Sequence, residues 1–413
     1  MRFVACFALL PATLLGGCFL SSGPASSPAD GGVHVPPDAA PDAGPDAGPS
    51  PSAAPLVQIA VGGQHTCARD EEGQVWCWGA GDRGQIGDGA TRDRTAPVRV
   101  LLDSEAVDIA AGVAHSCAVL TSGEVACWGD GGFGQLGAEP HELQSEPITV
   151  PDVGAAVEVS AGLSRTCARI EDGRVRCWGA GGSPRSPETG TAAPPEDIEG
   201  IADAAGISAG EAHTCAVHEG GGVTCWGLLR TESFEPSSEP VRLPGSEDIV
   251  RIEAASRAHD LFVPVWRTCG VDRSGRVSCW GSAFEEPTPF AATERSVSTL
   301  SIAMQPSTHG GCVVTTGGAV QCWDRARAAT PDLRDVLTEG AVDVTVGREH
   351  RCALLRDGTA RCWGSNLRGA LGIGLPAYRA SPVSVDGFDG ASRVAAGRST
   401  TCAVRAGSVW CWG

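Results

Sequence analysis

The chain has 413 residues with 31 Lys or Arg and 49 Asp or Glu, which gives a net charge of −18 at pH 7. So acidic a protein should repel nucleic acid and anionic lipid headgroups, which argues against nucleic-acid binding and against direct binding to a lipid surface. The composition is otherwise marked by 18 cysteines and 11 tryptophans, and their spacing is informative.

The first residues predict export. Arg2 precedes an apolar run from Phe3 to Leu15, which is too short to span a bilayer and has the length of a signal-peptide core. The run ends in Leu15-Gly16-Gly17-Cys18, which resembles the bacterial lipobox. The resemblance implies that residues 1–17 are a lipoprotein signal peptide and that Cys18 carries the lipid. An ordinary signal peptide with a cysteine nearby is the alternative.

A lipid anchor would place the protein in the bacterial cell envelope, attached to the membrane through the lipid only. Phe19 follows the cysteine, where an aspartate would retain a lipoprotein of enteric bacteria in the inner membrane. The protein is therefore expected at the outer membrane, on either its periplasmic or its cell-surface side.

Residues 18–55 are predicted to form a tether. From Ser21 to Pro55 the chain consists almost entirely of Pro, Ala, Gly, Ser and Asp, with too few apolar side chains to form a core. In polyproline geometry it could reach on the order of 100 Å. A short strand at Val33-His34-Val35 is the alternative for part of this segment.

Residues 56–413 contain eight copies of one pattern, a cysteine followed about ten residues later by a Cys-Trp pair. A unit of about 45 residues suits a four-stranded propeller blade. In the first unit, a three-residue hairpin loop ending at Gly73 would place Cys67 opposite Cys77. Seven units have a glycine at this loop position, where a left-handed conformation is needed. They are Gly73, Gly123, Gly173, Gly221, Gly275, Gly318 and Gly358.

Cysteines that face each other across two strands lie within disulfide range, so each hairpin is predicted to be closed by its own disulfide. The eighth pair is one residue closer in sequence, and a two-residue turn at Ala406-Gly407 restores the opposition. The predicted pairs are Cys67–Cys77, Cys117–Cys127, Cys167–Cys177, Cys215–Cys225, Cys269–Cys279, Cys312–Cys322, Cys352–Cys362 and Cys402–Cys411. Such pairs require an oxidising compartment.

Metal sites and free buried thiols are the alternatives for these cysteines. A histidine lies two residues before the first cysteine in four units, at His65, His115, His213 and His350. Strand alternation, however, brings only one histidine beside each pair, and no unit contains two Cys-x-x-Cys pairs. We therefore predict no metal site and expect the histidines to be structural, donating to the backbone where the second strand begins.

Strand alternation also predicts the packing. Val75 and its counterparts share a face with the cysteines, while Ala68 and Trp78 lie on the other face. Both faces are apolar, as expected for sheets packed between neighbours. The tryptophans are therefore predicted to pack between blades rather than to form a ligand cage.

A family resemblance follows from the second unit. Val107-Asp108-Ile109-Ala110-Ala111-Gly112, His115-Ser116-Cys117-Ala118-Val119 and Gly134-Gln135-Leu136-Gly137 together resemble a repeat of the regulator of chromosome condensation family. The likeness extends from Leu56 to Gly413, although the glycine-rich tail is degenerate in several units. It implies an all-β fold, a β-propeller. Seven blades are usual in that family, whereas the sequence contains eight hairpins, so both numbers remain open.

No catalytic motif or cofactor site is evident. Gly79-Ala80-Gly81-Asp82-Arg83-Gly84 and Gly129-Asp130-Gly131-Gly132-Phe133-Gly134 match a dinucleotide-binding pattern, but neither opens a predicted helix, so both are interpreted as tight loops between strands. The segment ahead of Cys269 breaks the repeat, and its Phe262 and Trp266 are candidate partner contacts. A lengthened strand with buried aromatic side chains is the alternative.

The leading hypothesis is an envelope-anchored module that binds an unknown protein or glycan through the loops on one propeller face. Its acidic surface would favour partners of opposite charge. A hydrolase or lyase working at the channel mouth is an alternative supported by fold analogy alone. A purely structural envelope protein is another. Nucleotide exchange factors, which the family includes, fit poorly with an exported and acidic chain.

Overall fold

The computed structural model describes residues 56–137, 143–180, 194–210, 213–227, 229–230, 236–237, 240–257, 265–281, 288–290, 297–302, 311–323, 334–346, 350–364, 371, 379–385, 390–397, 401–405 and 408–412. Within these ranges every regular element is a β-strand, and no helix is long and apolar enough to cross a bilayer. The signal peptide, Cys18 and the tether lie outside the described residues and stay predictions.

The described strands form seven four-stranded antiparallel sheets, one three-stranded sheet and one small hairpin. Blades one to three consist of β1 (Leu56–Val61), β2 (His65–Asp70), β3 (Val75–Gly79), β4 (Arg94–Arg99), β5 (Ala106–Ala111), β6 (His115–Leu120), β7 (Val125–Asp130), β8 (Leu143–Thr149), β9 (Ala156–Ala161), β10 (Arg165–Ile170), β11 (Val175–Gly179) and β12 (Glu196–Asp197). Blade four and its small hairpin, β16 with β17, comprise β13 (Ala204–Ala209), β14 (His213–His218), β15 (Val223–Gly227), β16 (Leu229–Arg230), β17 (Pro236–Ser237) and β18 (Val241–Arg242).

The remaining strands complete blades five to eight. They are β19 (Ile249–Arg257), β20 (Val265–Asp272), β21 (Val277–Gly281), β22 (Thr288–Phe290), β23 (Val297–Ile302), β24 (Gly311–Thr315), β25 (Val320–Trp323), β26 (Arg334–Leu337), β27 (Ala341–Val346), β28 (His350–Leu355), β29 (Ala360–Gly364), β30 (Arg379–Ser384), β31 (Ala391–Ala396), β32 (Thr401–Arg405) and β33 (Ser408–Trp412). Among the described strands, blade eight contains β31, β32 and β33.

The hairpin at the centre of each blade has the predicted register. In blade one, Arg69 pairs with Val75 and Cys67 with Cys77. The chain turns at Gly73, whose φ is 79°, and the six counterpart glycines have φ between 79° and 91°. A side chain with a Cβ is strained in this conformation, so the glycine positions fix the hairpin register.

All eight predicted disulfides form within their hairpins. Their Cα–Cα separations are 4.0–4.1 Å, as expected for residues that face each other without sharing backbone hydrogen bonds. In blades one to seven both cysteines are at most 5% exposed. Cys411 in blade eight is exposed, because no fourth strand of the described chain covers it.

The eight blades form a closed ring. Each innermost strand contacts the next one around the ring, and β31 of blade eight contacts β1 of blade one. The cores lie between blades, where the disulfide face of one packs against the tryptophan face of the next. Cys167 and Cys177 pack on Trp226 in this way, and at the closing interface Cys402 packs on Trp78. The seven-blade alternative is therefore wrong, and the predicted inter-blade role of the tryptophans is confirmed.

Each innermost strand contains one β-bulge near its start. In β5, Ala106 pairs with Leu120 and Asp108 with Val119, which leaves Val107 as the extra residue. The same shift occurs in all eight blades. These bulges lie at the end of the blades that carries the loops between second and third strands. We call this end the hairpin face and the other end the opposite face.

Candidate functional site

Carboxyl groups on the innermost strands tie neighbouring blades together. Asp108 Oδ2 accepts a hydrogen bond from the Val159 N–H at 2.8 Å, and its Oδ1 accepts one from Gln58 Nε2 at 2.6 Å. Glu158 Oε1 accepts from the Ile207 N–H at 3.2 Å. Burial raises the pKa of Asp108, although its hydrogen-bond donors counteract the shift. These carboxyl groups are engaged in the scaffold rather than presented together to a substrate.

Glu253 occupies a second inner position, where several other blades have a hydroxyl group. Ser160 Oγ and Ser208 Oγ each accept a backbone N–H of the next blade at 2.9 Å. Glu253 takes the same role for the Ile302 N–H, and Ser301 Oγ lies 3.5 Å from its Oε1. Burial raises the pKa of Glu253 to about 8. This carboxyl group is therefore a structural acceptor that is protonated at neutral pH.

The histidines bind hydroxyl groups across blade boundaries. His65 Nε2 lies 2.8 Å from Ser116 Oγ, and His115 Nε2 lies 2.9 Å from Thr166 Oγ1. His213 follows the same pattern with a threonine of blade five at 2.8 Å. The structural role is as predicted. The hydroxyl partners were not predicted, and His115 also has a backbone hydrogen bond with Arg165. The cysteines next to these histidines are in disulfides and therefore cannot bind a metal ion as thiolates.

The two glycine-rich matches to the dinucleotide pattern are loops, as predicted, and they join blades. Gly84 N–H donates to the Gly81 carbonyl at 2.9 Å in a turn that opens no helix. The Gln85 carbonyl then accepts from Ser116 Oγ at 3.1 Å and from Trp128 Nε1 at 3.0 Å. The loop after β7 repeats this arrangement toward blade three. Both backbone segments are thus used within the fold.

Exposed apolar side chains recur at the start of the innermost strands, on the hairpin face of blades two to five and seven. They are the extra residues of the bulges, and four of them are valines with 38–48% of their surface exposed. We define the valine ring as Val107, Val157, Ala205, Val250 and Val342. The serines Ser298 and Ser392 take this position in blades six and eight. These apolar side chains are exposed and lie outside the core. Their repetition at one position indicates a contact surface.

The valine ring is bordered by carboxylates on one side. Exposed acidic residues crowd the hairpin loops and blade connections of blades one to four, and we call this region the acidic sector. It comprises Glu71, Glu72, Asp103, Glu105, Asp152, Glu171, Asp172, Asp203, Glu219, Glu247 and Asp248. Asp172 is paired with Arg174 at 2.8 Å, and hydrogen bonds from Arg174 lower its pKa. The hairpin loops of blades five and seven begin with Arg273 and Arg356 instead.

Of the two predicted partner contacts, only Trp266 belongs to the described residues. Phe262 lies outside the described residues. Trp266 belongs to β20, in register with Ser256 of β19, and both strands are longer than their counterparts. The extension lies at the start of β20, whereas the hairpin loop follows the end of β20 at Asp272. The extension is therefore at the opposite face. The lengthened strand of the alternative is present, whereas the burial of Trp266 and its role as a partner contact stay predictions.

Sequence reasoning missed the valine ring. Its signal is a pair of consecutive apolar residues at the start of the repeat, as in Ala106-Val107 and Ala156-Val157, where strand alternation would require a polar residue. The partners of the histidines were also detectable, because a hydroxyl residue precedes the first cysteine in most units. These are Thr66, Ser116, Thr166, Thr214, Thr268 and Thr401.

Comparisons with known proteins agree with this architecture. A family model described as the regulator of chromosome condensation (RCC1) repeat matches residues 72–119, and another model of that repeat matches 56–85, 106–135 and 341–370. The guanine nucleotide exchange factor SRM1 of Saccharomyces cerevisiae is 44% identical over 55 residues, 13% of this chain and 11% of that protein. The chain thus matches only about a tenth of that relative's length.

Solved structures are similar over most of the chain. Prp20p of Saccharomyces cerevisiae has 22% identity and a TM-score of 0.56, covering 84% of this chain and 82% of its own. Human WBSCR16 has 18% identity and a TM-score of 0.59, covering 80% of this chain and 98% of its own. At these identities the likeness shows the fold alone. The described chain is an eight-bladed β-propeller with a disulfide in the central hairpin of each blade. The matches to the regulator of chromosome condensation repeat lie within residues 56–135 and 341–370 of the chain.

Proposed function

We propose that this chain is an envelope-anchored lipoprotein whose propeller binds a protein partner through the hairpin face. The observation that carries the proposal is the valine ring, a set of exposed apolar side chains on the hairpin face of blades two to five and seven. The acidic sector beside it would attract basic side chains of the partner and orient its approach. Apolar contact at the centre with charge at the rim is typical of protein–protein recognition.

Related propellers support a protein as the partner. Prp20p of Saccharomyces cerevisiae binds Gsp1p and histones, and another solved structure holds Prp20 bound to Kap60. The exchange activity of SRM1 is not carried over, because the similarity covers only 55 residues. What the comparison contributes is the use of this fold as a protein-binding surface.

Catalysis at the channel mouth is supported less well than binding. A hydrolase or lyase needs convergent acid and base groups, whereas Asp108 and Glu158 are hydrogen-bonded to backbone N–H groups of the adjacent blades. A glycan partner is also supported less well, since the ring is aliphatic and its border is anionic. A purely architectural role predicts that no soluble partner binds to the hairpin face.

Affinity capture from envelope extracts tests the binding function. The mature chain should retain a partner that the V107D/V157D variant loses, because two charges in the valine ring oppose apolar contact. The F133D variant is the matched control, since Phe133 is 49% exposed on the opposite face. Capture should survive glycosidase treatment and fail after protease treatment of the extract. Equal capture by both variants would refute binding at the hairpin face.

Lipidation is tested separately. If Cys18 carries the lipid, metabolic labelling with a clickable fatty acid should label the wild type, and the C18S variant should lose both the label and membrane sedimentation. An unlabelled wild-type chain recovered in the soluble fraction would refute the anchor and leave the binding function open.

A further inference from the structure

The disulfide of blade eight differs from the other seven in its access to solvent. Both cysteines of every other pair are at most 5% exposed, and Cys402 is completely buried. Cys411, in contrast, is exposed. A dissolved thiol can therefore reach one sulfur atom of this bond while the ring is folded, whereas the other seven bonds have no such approach.

A hydrogen-bond donor is directed at the same sulfur atom. Trp78 Nε1 of blade one donates to Cys411 Sγ at 2.9 Å. In blade two the corresponding indole, that of Trp128, donates instead to the Gln85 carbonyl. An N–H donor stabilises the negative charge that a sulfur atom carries as a thiolate. Solvent access and charge stabilisation thus coincide at Cys411.

The buried sulfur atom of this bond also has a polar neighbour. Thr66 Oγ1 lies 3.6 Å from Cys402 Sγ, and within a disulfide only the hydroxyl group can donate. A similar hydroxyl group lies beside the first sulfur atom of other blades, as Ser116 does beside Cys67. The exposure of Cys411 and the Trp78 donor are therefore what distinguish blade eight.

We propose that Cys402–Cys411 is a redox site, which a dithiol reduces in the folded protein. One thiolate of the dithiol attacks Cys411 Sγ, the bond between the two cysteines breaks, and Cys402 leaves as a thiolate beside the Thr66 hydroxyl. The second thiolate of the dithiol then attacks the mixed disulfide, and Cys411 leaves as a thiolate beside the Trp78 indole. The dithiol is oxidised to a disulfide, and the two cysteines gain two electrons and two protons.

Reduction removes the covalent link between β32 and β33. Among the described strands, β33 pairs with β32 alone, whereas the third strands of the other blades also pair with a fourth strand. Cys402 packs with Trp76 and Trp78 in the core between blades eight and one. Reduction therefore allows β33 to separate from β32 and loosens the interface that closes the ring.

Timed reduction of the mature full-length chain tests the redox site. In native buffer with dithiothreitol, alkylation and peptide mass spectrometry should detect Cys402 and Cys411 at least about tenfold sooner than Cys352 and Cys362, the buried pair of the adjacent blade. Unchanged hydrogen exchange of β10 in blade three checks that the ring is folded. Reduction of both pairs at equal rates would overturn the proposal, as would a Cys402–Cys411 bond that persists until the ring unfolds.

A monothiol tests which sulfur atom is attacked. β-Mercaptoethanol should form a mixed disulfide with Cys411 and leave Cys402 as the free thiol, because Cys402 is buried. The W78F variant removes the N–H donor and should be reduced more slowly, whereas W128F, the matched control, should be reduced at the wild-type rate. An adduct on Cys402 would overturn the proposed attack, and equal rates in W78F and wild type would overturn the role of Trp78.

The amides of Trp410 and Trp412 report the release of β33. They lie opposite Ala403 and Thr401, in the hydrogen-bonded pairs on either side of the disulfide. On reduction they should exchange about tenfold faster or more, and reoxidation with oxidised dithiothreitol should restore their protection. Equal exchange in the oxidised and reduced chains would overturn the release of β33.

Discussion

Buried histidines make the stability of the propeller sensitive to acid. Burial lowers the pKa of His65 to about 4 and of His213 to about 3. His115 also falls to about 3, mainly through burial and secondarily through the charge of His65. In the unfolded chain each imidazole takes up a proton below a pH of about 6.5, so stability is complete above that pH and falls toward pH 3.

Replacing one of these histidines should reduce the acid sensitivity. Each buried imidazole contributes a slope of up to about 1.4 kcal/mol per pH unit between its unfolded and folded pKa values. The H115Q variant keeps an amide that can reach Thr166 but has no titrating group. Its free energy of unfolding, measured by urea titration at pH 7 and pH 4.5, should fall less than that of the wild type. A loss as large as in the wild type would contradict a neutral buried imidazole.

Glu253 has the opposite effect on the pH dependence of folding stability. Its folded pKa of about 8 lies above the ordinary value of 4.5, mainly because of burial. The folded state therefore holds a proton that the unfolded state has released, and stability declines as the pH rises from about 4.5 to about 8. The negative charge of Asp343 adds to this effect.

The E253S variant should remove this decline. Serine already occupies the corresponding position in blades three and four, where it accepts the same kind of backbone N–H. Urea titrations at pH 6.5 and pH 8.5 should show a loss of stability in the wild type and little change in E253S. If both proteins lose stability equally over this interval, Glu253 is not the group responsible.

At the level of strands and turns, hairpin geometry was predictable from local spacing. Gly73 and its counterparts fix the loop, and the loop length places Cys67 opposite Cys77. Each of these relations spans about ten residues of sequence. The bulge at Val107 and the bond from His115 to Thr166 depend instead on strand pairing or on a blade about 50 residues away. The sequence therefore predicted the hairpin and the packing of tryptophans between blades, but not the bulges or the individual hydrogen bonds between blades.

Alanine substitution at two glycines can distinguish the cost of backbone strain from the cost of a steric clash. Gly358 and Gly390 have φ of 81° and 76°, so alanine at either position is strained by about 1–2 kcal/mol. A Cβ on Gly358 would collide with the Gly390 backbone, whereas a Cβ on Gly390 has nothing within 4 Å. The G358A variant should therefore be less stable than G390A by a further ~1–3 kcal/mol in free energy of unfolding. Its unfolding midpoint should lie at a lower denaturant concentration. Equal midpoints would show that the turn relaxes around the added methyl group.

For the molecule as a whole, the disulfides are protected by the ring. In blades one to seven every cysteine is buried between sheets, so a reductant cannot reach the sulfur atoms until blades separate. In native buffer with dithiothreitol, these seven bonds should remain oxidised for as long as the ring is folded. In denaturant they should be reduced together. Alkylation and peptide mass spectrometry at timed intervals would measure this, and stepwise native loss of Cys167–Cys177 would contradict it.

Burial of the disulfides between sheets has a consequence for biogenesis. An oxidising enzyme must reach both thiols of a hairpin before the neighbouring sheet docks, since afterwards the bond has no open approach. A blade that docks while still reduced would carry two thiols that no catalyst can correct. Maturation should therefore proceed hairpin by hairpin, with stacking of the blades as the later step.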